Sequence, residues 1–316
     1  IKKLFSYIKM CGISLLKAVF NNYDYIYVHF VSHTTAGVFI PALCAKNTKL
    51  VLNTHGNDIV ADTNVDKGYL GLTRLFLKGS DIVISPSNYF KKVLIKNYKV
   101  AKEKIVIFPS GGVDLAKFKK MNKKTALKNV ELDSKYTYFA FIARIEKDKG
   151  YDVYVKAIHE FRKINKKEDV KFLLVGSGSE EPQLKKWIQK YKLEKVIIRK
   201  PLVSQEELVS IYNAIDAFIY PTRMKSESLG LTGLEAMACE TFVIGSNKYG
   251  PSDYLIDGEN SLTFNPSDDK ELANKMDTFL NLKTTEKNKL IKNARKKSEE
   301  YSSENTKGAI LDVFKN

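Results

Sequence analysis

Cysteine is scarce in this 316-residue chain: Cys11, Cys44 and Cys239 stand far apart, and no two form a CxxC pair. That excludes a disulfide framework and a structural zinc site, and points to reduced thiols in a cytoplasmic setting. Eight prolines and 17 glycines are too few for a collagenous or mucin-like polymer, and a 44% hydrophobic content is too high for a disordered one. No Asp-x-Asp pair occurs, and the four histidines are not clustered at metal-ligand spacing, so no metal site and no catalytic divalent ion are expected. No apolar run reaches the roughly 18 residues of a bilayer span. Ile1–Phe20, with Lys2, Lys3, Lys9 and Lys17 spread through it, does not read as a signal peptide. It reads as an amphipathic helix packed on the protein surface.

Positive charge is what the chain has in excess. Lys and Arg number 52 against 36 Asp and Glu, a net +16. Residues 1–134 hold 21 of those cations and only 9 of the anions. A basic front half suits an anionic partner, either a phosphorylated substrate or an acidic membrane surface, although a lysine-rich surface alone would look the same. The cations lack the interleaved aromatics of a base-stacking surface, so nucleic acid is not expected.

Short β-rich runs alternate with helical patterns, the mark of βαβ units and parallel sheets. Strands are predicted at Tyr25–His29, Lys49–Asn53, Asp81–Ile84 and Ile105–Phe108, with a helix at Tyr89–Asn97. A polar segment, Lys119–Lys135, reads as a linker. The second half supplies strands at Tyr136–Arg144, Lys171–Val175, Lys195–Arg199, Ala217–Tyr220, Phe242–Ile244 and Leu262–Phe264. Two doubly wound α/β domains follow, 1–134 and 135–316, the last helix crossing back to the first. Six strands against four, no opening strand with a glycine turn and no initial Met imply a protein that extends upstream.

The densest chemical signal is Glu227-Ser-Leu-Gly230-Leu231-Thr232-Gly233-Leu-Glu235, after the strand Ala217–Tyr220. Two glycines at a helix mouth let backbone N–H groups approach an anion, and the helix dipole favours its charge. Glu227 and Glu235 could accept hydroxyl protons on either side, as a phosphate flanked by polyols would require; a capped helix with two exposed glutamates is the plainer possibility. Arg144 and Lys149 follow the first strand of the second half, where ligands bind in open parallel sheets, and supply a planar fork and a point charge for phosphate oxygens. Lys147 between them reads as an exposed turn residue. Val175-Gly-Ser-Gly178 lacks the full dinucleotide fingerprint. In the front half, Thr54-His55-Gly56-Asn-Asp58 follows a strand, with Gly56 read as a turn into solvent; of His29 and His33, one is expected to be structural.

Together these residues resemble the retaining, family 4-type glycosyltransferases of the GT-B fold. The likeness rests on Glu-x7-Glu at Glu227 and Glu235, Arg-x4-Lys at Arg144 and Lys149, His-Gly-x-Asp at His55–Asp58, Pro109-Ser-Gly-Gly-Val113-Asp114 with Phe118, and Ala238–Ile244. It covers about Asp24 to Phe264 and implies two Rossmann-like domains facing across a cleft. By resemblance, Arg144 and Lys149 bind the donor diphosphate with backbone amides of Gly230, Leu231 and Thr232. Glu235 then holds the ribose, Glu227 the transferred sugar, and His55 stands beside the reacting sugar. The resemblance also implies a metal-independent hexosyltransferase that moves a sugar from a UDP-sugar to a lipid-linked or growing surface polysaccharide. Such an enzyme would be cytoplasmic and peripheral on an anionic membrane face.

The chain departs from the family in three places. Glu240 stands where a glycine is usual, so its turn is expected to differ, Lys200-Pro201 replaces another glycine, and the glycine-rich loop near the amino terminus is absent. That last departure keeps a second possibility open, a non-catalytic nucleotide- or glycan-binding partner of a complete transferase. An epimerase or sugar phosphorylase on the same two-lobed fold is a third.

Overall fold

The computed structural model describes residues 2–45, 47–62 and 64–315. Ile1 and Asn316, at the ends of the two expected domains, lie outside the described residues. The chain divides into two compact units. The first comprises 1–111, 225–229 and 306–316; the second comprises 112–224 and 230–305.

The first unit begins with helix α1 (Lys2–Phe20), then β1 (Tyr25–His29), α2 (Ala36–Cys44), β2 (Lys49–Asn53), α3 (Asn64–Gly79), β3 (Ile82–Ser85), α4 (Asn88–Tyr98) and β4 (Ile105–Ile107). Its strands are all parallel, in the order β1-β2-β3-β4. Because strand side chains alternate, the two faces separate cleanly. Leu50, Leu52 and Val83 point to Phe39, Phe76, Phe90 and Leu94 on α2, α3 and α4, whereas Val51 and Ile84 meet Val313 near the carboxyl end. Right-handed crossovers that all step in one direction place their helices on one face, as here. Among the described residues this sheet is therefore wound one way, not both ways as expected.

α1 is amphipathic, as expected, but its apolar side is turned outward: Phe5, Ile8, Leu16, Val19 and Phe20 fall on one side of the helix and are all exposed. It packs on α2, where Cys11 lies against Gly37. No helix among the described residues is long and apolar enough to cross a membrane.

The second unit contains α5 (Lys123–Asn129), β5 (Thr137–Ile142), α6 (Tyr151–Ile164), β6 (Val170–Val175), α7 (Glu181–Lys190), β7 (Ile197–Lys200), α8 (Gln205–Ala214), β8 (Ala217–Tyr220), α9 (Leu231–Ala238), β9 (Phe242–Ser246), β10 (Leu262–Phe264), α10 (Asp269–Asn281) and α11 (Thr284–Glu300). Its parallel sheet has the order β10-β9-β8-β5-β6-β7. Connections after β5 step one way and those after β8 the other, so β5 and β8 flank a topological switch point. Phe139, Phe141, Phe172 and Phe242 fill the core beneath α6 and α10; burying each such ring contributes about 2 kcal/mol.

The boundary at residue 134 is corrected to Gly112, because the segment read as a linker is folded onto the second unit. Asn122 caps α5 by accepting the Lys124 and Thr125 N–H groups, and Ala126 and Leu127 are buried. The Asn213 side chain on α8 accepts from the Met121 N–H and donates to the Lys119 carbonyl. Gly112 itself is confined: at φ +75°, a Cβ there would press on the Tyr301 and Ser302 carbonyls. The last helix, α12 (Ser303–Val313), joins the first unit from Thr306 onward, where Phe314 packs edge-on against Tyr25.

Candidate active site

The switch point of the second unit assembles three loops. After β5 the chain runs through Arg144, whose side chain is exposed, into a short turn at Lys147–Lys149 and then into α6. Gly150, at φ +79°, allows this, since a Cβ would overlap the Pro221 carbonyl of the loop after β8. Arg223 locks the two loops together. Its backbone N–H donates to the Asp148 carbonyl at 2.8 Å, and its guanidinium bonds the Lys147 carbonyl and pairs with buried Asp152 at 2.5 Å. Gly176 and Gly178, after β6, are small for the same reason: their Cβ atoms would strike the Ala143 and Ile145 carbonyls. The Val175–Gly178 turn thus supports the Arg144 loop. Arg223 was not singled out from sequence; only its place just after a buried strand hinted at it.

α9 opens on the same side of the sheet as β8. Gly230 is its left-handed cap at φ +83°, and a Cβ there would collide with the Tyr220 hydroxyl. The Tyr254 hydroxyl donates to the Gly230 carbonyl at 2.6 Å, and Gly233 leaves room for that same tyrosine. Leu231 and Thr232 follow as the first helical residues, half-buried, with their N–H groups at the helix mouth. Glu235 lies one turn further in. Burial pushes its carboxyl up to about 7, opposed by the Tyr212 hydroxyl, which lies 3.4 Å from Oε2 and 3.2 Å from the Thr232 carbonyl. A half-desolvated carboxyl at this pKa gains most from a ligand that donates two hydroxyl hydrogens to it. Glu240, after α9, sits at φ +58°, the conformation glycine adopts easily, so the turn keeps the backbone expected of a glycine.

His55 belongs to the first unit, two residues beyond β2. Asp58 organises its turn: the buried carboxylate accepts N–H bonds from Val31, His55 and Gly56 at 2.7–3.1 Å. Burial pushes the Asp58 carboxyl upward, and those three donors oppose it. Gly56 does not turn into solvent. It is buried, and a Cβ would press on the Ser226 carbonyl. The segment Lys225–Leu229, which carries half-buried Glu227, groups with this unit, anchored by the Ser226 hydroxyl on Asp62 and the Tyr89 hydroxyl on the Lys225 carbonyl. Glu227 therefore stands in the same unit as His55, while Arg144, Lys149, Gly230, Leu231, Thr232 and Glu235 share the second.

The ring of His29 packs on His55 with centroids 4.1 Å apart, whereas His33 packs on Tyr7. Burial, with a smaller contribution from His29, lowers the His55 imidazole to about 4, so it is neutral at physiological pH. Its Nε2 is buried and has no hydrogen-bond partner. His29, His55, Asn53, Thr54, Phe108 and Ser110 line a pocket of about 250 Å³ at the carboxyl ends of the strands. Among the described residues no group of His, Cys, Asp or Glu is arranged to hold a metal ion.

One parallel α/β unit with a phosphate-type helix mouth at its switch point, and another parallel unit bearing a histidine turn held by a buried carboxylate, are the composition of GT-B glycosyltransferases. The family described as glycosyl transferases group 1 matches residues 122–297, more than half of the chain, and the family described as Glycosyltransferase Family 4 matches residues 4–117. The chain belongs to the glycosyl transferases group 1.

It is 34% identical over 173 residues to a D-inositol 3-phosphate glycosyltransferase of Paenarthrobacter aurescens, a match covering 54% of this chain and 41% of that protein. It is 27% identical over 208 residues to the capsular polysaccharide biosynthesis glycosyltransferase CapM of Staphylococcus aureus, covering 64% of this chain and 52% of CapM. The matches thus span about half the length of these relatives. The crystal structure of Anabaena HepE in complex with UDP and glucose shares the fold, with a TM-score of 0.79 at 18% identity over 98% of this chain and 81% of HepE.

Proposed function

We propose that the chain is a retaining, metal-independent glycosyltransferase that moves a hexose from a UDP-sugar to a lipid-linked or growing surface polysaccharide. The observation that supports this reading is the second unit's switch point: Arg144 and Lys149 follow β5, the glycine-capped α9 follows the adjacent β8, and Glu235 on α9 is desolvated. Departure of a nucleoside diphosphate leaves about two negative charges on the leaving group. The guanidinium, the ammonium and the helix N–H groups stabilise them as they develop. Glu235 takes the ribose hydroxyls; Glu227 and His55 address the transferred sugar. The departing phosphate itself helps to deprotonate the acceptor hydroxyl.

CapM, named for capsular polysaccharide, supports a glycan acceptor, and HepE, solved with UDP and glucose, supports the donor. The excess of cations in residues 1–134 supports docking on the anionic cytoplasmic face of a membrane.

Calorimetric titration with UDP, GDP and ADP, without added metal, tests the donor site. Binding of UDP that is lost in Arg144→Ala is expected. Failure of a folded chain to bind any of the three overturns the enzyme reading in favour of a non-catalytic glycan-binding partner.

A further inference from the structure

Resting on that functional reading, we propose that His29 is a positioning residue: its ring, packed against His55, fixes the His55 imidazole beside the pocket, where it meets a sugar hydroxyl. His29 ends β1 directly in register with Asn53, and His55 follows two residues beyond that partner. The rings meet at an interplanar angle of 34° with centroids 4.1 Å apart, and both line the 250 Å³ pocket. The pocket is large enough for one sugar ring, and its polar groups, Asn53, Thr54 and Ser110, are the kind that pair with hydroxyls.

From the backbone side, the Asp58 carboxylate accepts the His55 amide N–H, so it positions the turn without engaging the ring. The buried Nε2 without a protein partner is the atom left for substrate. A neutral imidazole can accept or donate there, whereas an imidazolium could only donate. Two rings in contact cannot both carry a proton without repulsion, so His29 opposes protonation of its neighbour. Other ionisable groups on neighbouring elements include Asp58, which accepts three N–H groups; Tyr98, bonded to the Ile59 carbonyl and near Arg74; Tyr27, bonded to Asn53; Asp62, bonded to Ser226; and Lys225 and Glu227 on the segment packed at Gly56.

The chain has only four histidines, so each can be followed by NMR in the full-length protein labelled at histidine. The His55 midpoint, near 4 in the parent, is expected to rise in both His29→Phe, which keeps a ring, and His29→Ala, which does not. The acid limb of kcat/KM should move with it, in the same direction. His29→Ala should lower kcat roughly tenfold or more while UDP affinity stays unchanged, and His29→Phe should keep most of kcat at pH 8. An unmoved His55 midpoint in both folded variants overturns the proposal, as does full kcat in His29→Ala. The titration needs no turnover. A chain that transfers no sugar but shows the shift therefore fails the functional reading alone, while the histidine pairing stands.

Discussion

The two parallel sheets solve the same packing problem differently. In the second unit the chain winds both ways from β5 and β8, so helices cover both faces and the switch point opens a crevice at the strand ends. The first sheet steps one way only; α2, α3 and α4 cover one face, and Val313 of the returning α12 meets Val51 and Ile84 on the other. The lesson is where chemistry can be placed. The second unit gathers its cations and its helix mouth at a crevice that topology creates. The first builds its pocket at the carboxyl ends of β1, β2 and β4, with one turn pinned by a carboxylate and two imidazoles packed together.

Removing the crevice's tightest fit should give the largest effect. Gly150→Ala forces a Cβ into the Pro221 carbonyl at a left-handed φ, and should destabilise the second unit by roughly 3 kcal/mol or more and abolish UDP binding. Urea unfolding and titration check this; a variant with parental stability would show that the two loops are not rigidly apposed.

Glu235 sharpens the contrast through pH. Its folded pKa, about 7, lies above the unfolded 4.5, so the neutral form is favoured by folding. That stability is fully present below pH 4.5 and is lost as pH rises through 7, about 3 kcal/mol in all. Glu235→Gln should therefore be the more stable protein at pH 8 while binding UDP roughly tenfold more weakly. UDP affinity in the parent should rise between pH 6 and 8 as the carboxyl ionises, and a flat profile would separate Glu235 from the ribose. His55 has the opposite sign. Its lowered pKa favours the neutral ring, so its contribution is present above 6.5 and falls away as pH drops toward 4.

Val313→Ala, in the thinner layer of the first unit, should cost about 2 kcal/mol and leave UDP binding intact, as thermal melts with and without nucleotide would reveal. The smallest change expected is a gain. Glu240→Gly relieves a left-handed residue and gives up only an exposed ion pair with Lys120 at 3.4 Å, so stability should rise by about 1 kcal/mol.

Much of this architecture was legible in the chain. The strands at Tyr25–His29, Lys49–Asn53, Ala217–Tyr220 and Leu262–Phe264 stand as expected, because short apolar runs bounded by polar turns signal buried parallel strands. Helix α5 was not legible. Seven residues with a lysine-rich pattern give no clear period, and the capping Asn122 lies in a run of polar residues. His29 and Arg223 were also missed as partners, since each acts on a residue distant in sequence.

What the sequence determined by itself is the local chemistry: parallel α/β units, a glycine-capped helix with Glu235 inside it, and cations and a histidine just past strand ends. Side-chain type, spacing and turn preference are local properties that survive without knowledge of the fold. Tertiary structure alone decided which sheet winds both ways, where one unit ends and the next begins, and which groups are desolvated. The raised Glu235 carboxyl and the neutral His55 ring arise from burial by residues far along the chain, and only a folded interior creates that environment.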